Sequence, residues 1–412
     1  MYLHMIGSSW LEHPFLRSSF LLEHEKDLNR ILESGIQTVW IDESRGLSID
    51  DVEDEQEQDV DAHGISAADD AAEGLSEDER VAIEQDRMPS QVRTGYAQMR
   101  TRHVPLTVEI NRARQICQAG KQQVMAMFEE VRLGNSVDSA AVLPLVEEMN
   151  ASVLRNPVAL LSVARLKTHD DYTYLHSVAV AALMLALSRQ LGLDPGLTKR
   201  AGCGGLMHDL GKAFMPLEVL NKPGKLTDAE FAIMKTHPEA GARALQEAGA
   251  DAEAVDIALH HHEKINGRGY PYGLKGEEIT LLARMGAVCD VYDAVTSVRA
   301  YKAPWDPSGA LREMVRWDGH FDRKVFNAFV KTLGIYPVGS LVRMASDRLA
   351  VVVEPGTDSL LKPKVRAFYS TRSREKILPQ VIDLAAPGCR DSIVSPESPE
   401  QWGLSNLEAL WL

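Results

Sequence analysis

Apolar residues recur at helical spacing through most of this chain. Between positions 105 and 133, Ile110, Ala113, Ile116 and Cys117 fall on one face of a helix. From about Asp138 to Leu333 the pattern is almost entirely helical. Asp194-Pro195 supplies an N-cap followed by proline at the first helical position. Thr227 and Glu230 form a capping-box pair, and His237-Pro238-Glu239 opens a further helix with the histidine at its mouth. Gly192 and Gly249 mark helix ends. After Gly334 the period shortens. Runs at 340–344, 348–354, 365–369 and 380–384 read as short strands separated by turn residues, a small antiparallel appendix. From Ala386 onward the chain is rich in Pro, Ser and Glu and reads as a loose tail, with a short helix near 406–410. Ahead of the helices, a helix-like stretch at 23–34 and a strand candidate at 37–41 suggest a small α+β unit. No internal repeat is present.

Composition sharpens this division. The 412 residues are 45% hydrophobic and 25% charged, with a formal net charge of −15. Residues 42–86 hold eighteen acidic and two basic side chains, leaving 41 acidic and 42 basic residues elsewhere. The acidity therefore belongs to one segment, and 49–88 reads as a disordered linker or insertion. That segment would repel a nucleic-acid polymer but says nothing against a basic pocket for a small phosphate ligand. The four cysteines are far apart and contain no CxxC pair, so neither a zinc ribbon nor a disulfide framework is expected. This usage suits a reducing cytosol, and a cytoplasmic location is expected. The first residues show no basic region followed by an apolar run, so no signal peptide is read. The longest helix-like apolar stretch, at 178–187, is far shorter than the ~20 residues a bilayer requires, so no membrane insertion is expected.

Seven of the thirteen histidines lie between His169 and His262. Neutral imidazole binds first-row divalent metals readily, so this density is a metal-site signal. His208-Asp209 lies within GGLMHDLGK. Adjacent side chains on one helix diverge by ~100°, so this pair can grip a metal only with help from other helices. His176, His237, His261, His262 and Asp290 offer that help. Each is a polar group whose unpartnered burial would cost several kcal/mol, and a shared metal centre answers for all of them. Nitrogen and oxygen ligands without a thiolate suit iron or manganese better than a structural zinc site. Lys212, four residues beyond His208 and so one turn along the same helical face, and Arg299 and Lys302, nine and twelve residues after Asp290, would meet phosphate oxygens. GGLMHDLGK also invites a phosphate-loop reading, but Gly205 to Gly211 is one residue too long and Ala213 replaces the required Ser or Thr.

These motifs resemble a family. HDLGK resembles the HD superfamily of metal phosphohydrolases. HHEKINGRGYP (261–271) resembles the extended motif that names the HD-GYP subfamily, and DVYDAVTSVRAYK (290–302) its following segment. The resemblance covers roughly 138–335. SWLEHPFLRSSF and GIQTVWID are similar to a domain of uncharacterised function that often precedes HD-GYP domains. Relatives usually have a strand before that point, so a start upstream, or a missing first strand, is expected.

The resemblance implies a mainly α protein. Residues 1–134 would form the small α+β domain with its acidic insertion, 135–335 the all-α HD-GYP domain, 336–385 the β appendix and 386–412 the tail. It implies a phosphodiesterase that hydrolyses cyclic di-GMP to pGpG and onward to GMP by attack of a metal-bridging hydroxide. His176, His208, Asp209, His237, His261, His262 and Asp290 would be the metal ligands, with Asp209 bridging. Asp209 and Lys212 would be catalytic. Lys212, Tyr270, Arg299 and Lys302 would hold the nucleotide. Trinuclear members carry Glu four residues before the first ligand histidine; Tyr172 stands there, which favours two divalent ions, iron or manganese. Asn266 and Ala300 also depart from the family pattern. Enzymes of this kind commonly pair, so a homodimer is expected, and proteins with diguanylate cyclase (GGDEF) domains are the protein partners implied.

Plainer readings stand beside these. His176 on an apolar face could be a satisfied core histidine, and His237 a helix cap. His260 and His169 read as bystanders. Tyr270 could line the site or merely shape its loop, and Glu263 could orient a ligand histidine or lie on the surface. At the level of function, the alternatives are an adaptor that binds cyclic di-GMP, or a cyclase partner, with weak turnover or none, and a phosphohydrolase acting on another nucleotide.

Overall fold

The computed structural model describes residues 104–165, 172–222, 224–297, 304–356 and 359–411, together with the backbone of three short strands near the N-terminus. The chain divides into two units, Met1–Ser66 and Ala67–Leu412. In the first, β1 (Tyr2–Ile6) lies between β2 (Phe20–Leu21) and β3 (Val39–Ile41), both antiparallel to it. A strand thus runs immediately after Met1, whereas a missing first strand is one of the two alternatives the sequence reading offers, a start upstream being the other. The 23–34 helix and the acidic 49–88 segment fall outside the described residues.

The described part of the second unit, from residue 104, is mainly helical until residue 333. Apart from a single turn at Leu217–Leu220, its described α-helices are α1 (Leu106–Arg132), α2 (Leu143–Arg155), α3 (Pro157–Arg165), α4 (Tyr172–Gln190), α5 (Pro195–Met207), α6 (Asp228–Met234), α7 (His237–Glu247), α8 (Ala252–His260), α9 (Leu281–Thr296), α10 (Pro307–Arg316) and α11 (Arg323–Leu333). The start signals act where the sequence places them. The Asp194 side chain accepts the Leu197 N–H at 2.9 Å, and Thr227 and Glu230 close their capping box. Gly192 and Gly249 adopt φ of 72° and 66°, the left-handed region glycine enters without a Cβ penalty.

Helix α4 is apolar on every side, the signature of a fully buried helix. Its Val180, Leu183, Met184 and Leu187 join a core shared with α9, α11 and the C-terminal sheet. Its Val178, Ala181, Ala182 and Leu185 join a second core with α1, α2 and α5. Between α1 and α2 the buried Glu109 carboxylate is held by Arg155 and accepts the Ser152 hydroxyl at 2.9 Å.

The C-terminal sheet contains β4 (Leu341–Met344), β5 (Arg348–Glu354), β6 (Lys364–Ser370), β7 (Glu375–Asp383) and β8 (Ile393–Pro396), antiparallel in the order β7-β6-β5-β4-β8. Two features differ from the sequence reading. β7 begins earlier than 380; as an exposed edge strand it lacks the alternation that would reveal it. The segment read as a loose tail supplies β8, paired to β4 from Val342 opposite Pro396 to Met344 opposite Ile393. Trp411, only 4% exposed, packs beneath the Arg165 guanidinium, 4.7 Å from its ring centre. Pairing and one aromatic anchor order this segment, and its composition carries neither signal.

Candidate metal centre

Glycines bring the relevant elements together. The GG of GGLMHD lies where α5 meets its neighbours: a Cβ on Gly205 would stand 2.9 Å from the Ala181 Cα of α4. Helix α5 ends at Met207, so His208 caps it and Asp209 begins a short 3-10 turn, Leu210–Phe214. A Cβ on Gly211 would stand 1.8 Å from the His237 carbonyl oxygen. That bare backbone lets the mouth of α7 approach Asp209. The change to 3-10 geometry also moves Lys212. It sits three residues from Asp209 and its ammonium binds Asp209 Oδ2, rather than lying one α-turn beyond His208.

The structure brings His176, His208, Asp209, His237, His261, His262 and Asp290 into one buried cluster. His176 comes from α4, His208 and Asp209 from the end of α5, His237 from the first position of α7, His261 and His262 from the end of α8, and Asp290 from α9. Three groups have donor atoms within 4.8 Å of one another: His237 with His261 and His262; His176 with His208 and Asp290; and His208 with Asp209 and His261. Asp209 faces both sides. Its Oδ2 lies 3.6 Å from His176 Nε2 and 3.5 Å from His208 Nε2, and its Oδ1 lies 3.3 Å from His237 Nε2 and 3.8 Å from His261 Nε2. Asp290 does likewise, with Oδ1 2.9 Å from His176 Nε2 and Oδ2 3.7 Å from His262 Nδ1.

Hydrogen positions decide what this cluster wants. Nδ1 of His208 lies 2.8 Å from the Gly205 carbonyl, that of His237 2.7 Å from Met234 and that of His261 2.9 Å from Ala258. Each Nδ1 must therefore carry the proton and donate it to that carbonyl, which leaves Nε2 as a lone pair aimed inward. His237 Nε2 faces His261 Nε2 at 3.4 Å and Asp209 Oδ1 at 3.3 Å, contacts between acceptors. Among the described residues, His208 Nε2 and Asp209 Oδ1 are buried without a hydrogen-bond partner. Apart from His176, which bonds to Asp290, these lone pairs and carboxylates converge with no proton between them, as in a cation site, and the residues could hold divalent metal.

The electrostatics agree. Burial would raise the Asp209 carboxyl, but the Lys212 ammonium and nearby imidazoles hold it well below the usual range. Asp290 is also held well down, against burial, chiefly by its hydrogen bond to His176. Burial pushes His208 and His261 down, and His262 down to about 3, so these rings stay neutral and ready to ligate. His176 is raised: burial opposes its charge, but hydrogen bonds to Asp290 and Asp293 prevail.

Around this centre, Tyr270 stacks on His262 with ring centres 4.7 Å apart, and it also packs near Phe231 of α6. Asn266 makes the turn expected of it, accepting the Arg268 N–H at 3.0 Å. Glu263 is buried, and it neither orients a histidine nor lies on the surface. Its carboxylate accepts the backbone N–H groups of Tyr272, Gly273 and Leu274 at 2.7, 3.0 and 3.1 Å, fixing the loop after Tyr270. His260 turns away to Asp256, at 2.8 Å, and stays outside the cluster. His169, Ala300, Arg299 and Lys302, and the side chain of Tyr172, lie outside the described residues. Sequence reasoning missed Asp293, which lies 2.6 Å from His176 Nδ1. Its signal was available: three residues after Asp290, it shares that residue's helical face.

Comparison with known proteins places the cluster in a lineage. Residues 147–325 match the HD domain family model, and residues 1–142 match a domain of unknown function, DUF3391. The chain is 48% identical to cyclic di-GMP phosphodiesterase PA4108 of Pseudomonas aeruginosa, over 100% of this chain and 92% of that protein. It is 33% identical to 3'3'-cGAMP-specific phosphodiesterase 1 of Vibrio cholerae over 42% of this chain and 41% of that one. Among solved structures, an HDG"Y"P protein of Bdellovibrio bacteriovorus, Bd1817, is similar at 23% identity and a TM-score of 0.46, covering 59% of this chain and 77% of the other. With its HD dipeptide, HHE and GYP motifs and full-length likeness to PA4108, the chain belongs to the HD-GYP family of cyclic di-GMP phosphodiesterases.

Proposed function

We propose that this protein hydrolyses cyclic di-GMP to the linear dinucleotide pGpG, and onward to GMP, with two divalent ions, iron or manganese. The observation that carries the reading is the pair of carboxylates shared between two sets of imidazole lone pairs. Asp209 and Asp290 each turn one oxygen toward His176 and another toward the His237, His261 and His262 side. On this reading His176, His208, Asp209 and Asp290 hold one ion. His237, His261 and His262 hold the other, with Asp209 between them.

When bound, such ions supply Lewis-acid activation of water and of the phosphoryl oxygens. The chain's own residues do the rest. The backbone carbonyls of Gly205, Met234 and Ala258 keep three imidazoles in the ligating tautomer. Lys212, paired with Asp209, supplies a positive charge at the edge of the site. From there its ammonium would meet a substrate phosphate. Tyr270 offers a ring against which the nucleotide can rest, and Glu263 holds the loop that presents it. Arg299 and Lys302, which the family resemblance assigns to the nucleotide, would add phosphate contacts. The substrate itself follows from the likeness to PA4108 along the whole chain.

The likeness to a 3'3'-cGAMP-specific enzyme favours a second reading, in which a different cyclic dinucleotide is preferred. The test is a substrate panel. Protein loaded anaerobically with Mn(II) or Fe(II) is offered cyclic di-GMP, 3'3'-cGAMP and cyclic di-AMP, and products are resolved by chromatography. The proposal expects the highest kcat/KM on cyclic di-GMP. Faster turnover of 3'3'-cGAMP would replace it with the second reading.

A further inference from the structure

His176 is fixed differently from the other inward-facing histidines. His208, His237 and His261 each give their Nδ1 proton to a main-chain carbonyl three residues earlier, a contact that belongs to the backbone. His176 instead faces a carboxylate 117 residues away in the chain, Asp293 Oδ2, at 2.6 Å, with both side chains buried. Helix α9 therefore meets this imidazole on both of its nitrogens: Asp290 Oδ1 lies 2.9 Å from Nε2, and Asp293 Oδ2 holds Nδ1. The spacing of three residues puts both carboxylates on the face of α9 that packs on α4.

We propose that Asp293 is the positioning residue for His176: it fixes the ring's rotation, places its proton on Nδ1 and strengthens Nε2 as a donor to the ion shared with His208 and Asp290. This rests on the reading of His176 as a metal ligand. A carboxylate acts more strongly here than a main-chain carbonyl, because its charge is added to the hydrogen bond and raises the basicity of the far nitrogen. It also gives the site an asymmetry. The ion beside His176 would depend in part on a histidine oriented by a side chain from another helix, whereas His237 and His261 on the other side are locked to their own backbone.

The ground behind Asp293 fits this role. Asp293, Tyr292 and Thr296 of α9 and Arg165 of α3 line a cavity of about 70 Å³ beside the His176–Asp293 pair. That space can admit water. If the carboxylate is removed, a water molecule can accept the Nδ1 proton but cannot replace the charge.

The experiment is an anaerobic titration of the full chain with Mn(II), comparing wild type, Asp293→Asn and Asp293→Ala. Bound metal is read by equilibrium dialysis with elemental analysis, and melting temperature is recorded with and without metal. The expected loss in affinity for the ion shared by His176, His208 and Asp290 is about 100-fold in Asp293→Ala and about tenfold in Asp293→Asn, whose amide oxygen still accepts from Nδ1 but carries no charge. Metal-free Asp293→Asn should melt close to wild type, and its hydrolysis should recover as Mn(II) is raised, which a purely structural defect would not allow. If Asp293→Ala fails to fold, Asp293→Asn decides the matter. Wild-type affinity in Asp293→Asn would overturn the proposal. Wild type that binds no Mn(II) would overturn the metal-centre reading itself, and this proposal with it.

Discussion

In the C-terminal sheet, Leu349 to Val353 of β5 are buried on both faces, and every one of them is apolar. In the histidine cluster, His176, His208, Asp209, His237 and His261 are equally deep, at 2% exposure or less, and every one is polar. The sheet's burial is its own reward, since removing apolar surface from water stabilises the fold. The cluster's burial is not. Its lone pairs face one another, and two of its polar atoms have no protein partner among the described residues. One region makes the fold stable, and the other is tolerated because the fold is stable and a cation repays it. Substitutions should therefore separate the two, one class destroying activity and the other destroying stability.

The largest separation is expected at Asp209. Replacing it with Ala removes the carboxylate that faces both sides of the cluster, and hydrolysis should fall by about 10³-fold or more. The metal-free protein should stay folded and melt only somewhat lower than wild type, because the ion pair with Lys212 is lost while the neighbouring lone pairs no longer face a carboxylate. Activity assays beside calorimetry of chelator-treated protein check both halves. Leu349→Ala should do the reverse. It should cost about 2–5 kcal/mol of unfolding free energy by denaturant titration, while metal stoichiometry in the folded fraction stays unchanged.

Glu263→Gln tests the border between the regions. It keeps the shape but removes the charge that accepts three backbone N–H groups. Hydrogen bonds to a charged group contribute about 1.5–3 kcal/mol each, so loosening of the Tyr270 loop should raise KM more than it lowers kcat.

The smallest effect is on pH. His208, His261 and His262 are depressed in the folded state, the last to about 3, whereas the unfolded rings protonate below about pH 6.5. The unfolded chain therefore binds more protons in that window, and stability falls as pH drops below about 6.5. The Asp209 and Asp290 carboxyls, also depressed, add to the loss below about pH 4. His176 is raised and works the other way, as a contribution present at low pH and lost as pH rises through its folded value. Three depressed rings against one raised ring predict that chelator-treated protein is less stable at about pH 5 than at about pH 7 in urea titrations. A flat profile would mean that these imidazoles are not buried neutral.

Much of the helical body could be read from the chain because its signals are local. Asp194-Pro195 and Thr227 with Glu230 announce helix starts in a few residues, and those helices begin there. The HD, HHE and GYP motifs named the site because the family keeps them contiguous. What escaped the sequence depended on distant partners. β8 is a strand only because β4 lies beside it. Glu263 looked like a partner for a neighbouring histidine, yet its carboxylate turns to the backbone nine to eleven residues ahead. Lys212 was placed by α-helical geometry that ends at Met207. Asp293 shares the helical face of Asp290, but its partner His176 lies 117 residues away in the chain.

The most direct test of the central claim is hydrolysis of cyclic di-GMP by protein loaded anaerobically with Mn(II) or Fe(II), beside a His208→Ala, Asp209→Ala double variant that remains folded. The account predicts pGpG or GMP from the wild type and intact nucleotide from the variant. A metal-loaded wild type that binds cyclic di-GMP and leaves it whole would contradict the account and identify the protein as a nucleotide-responsive adaptor.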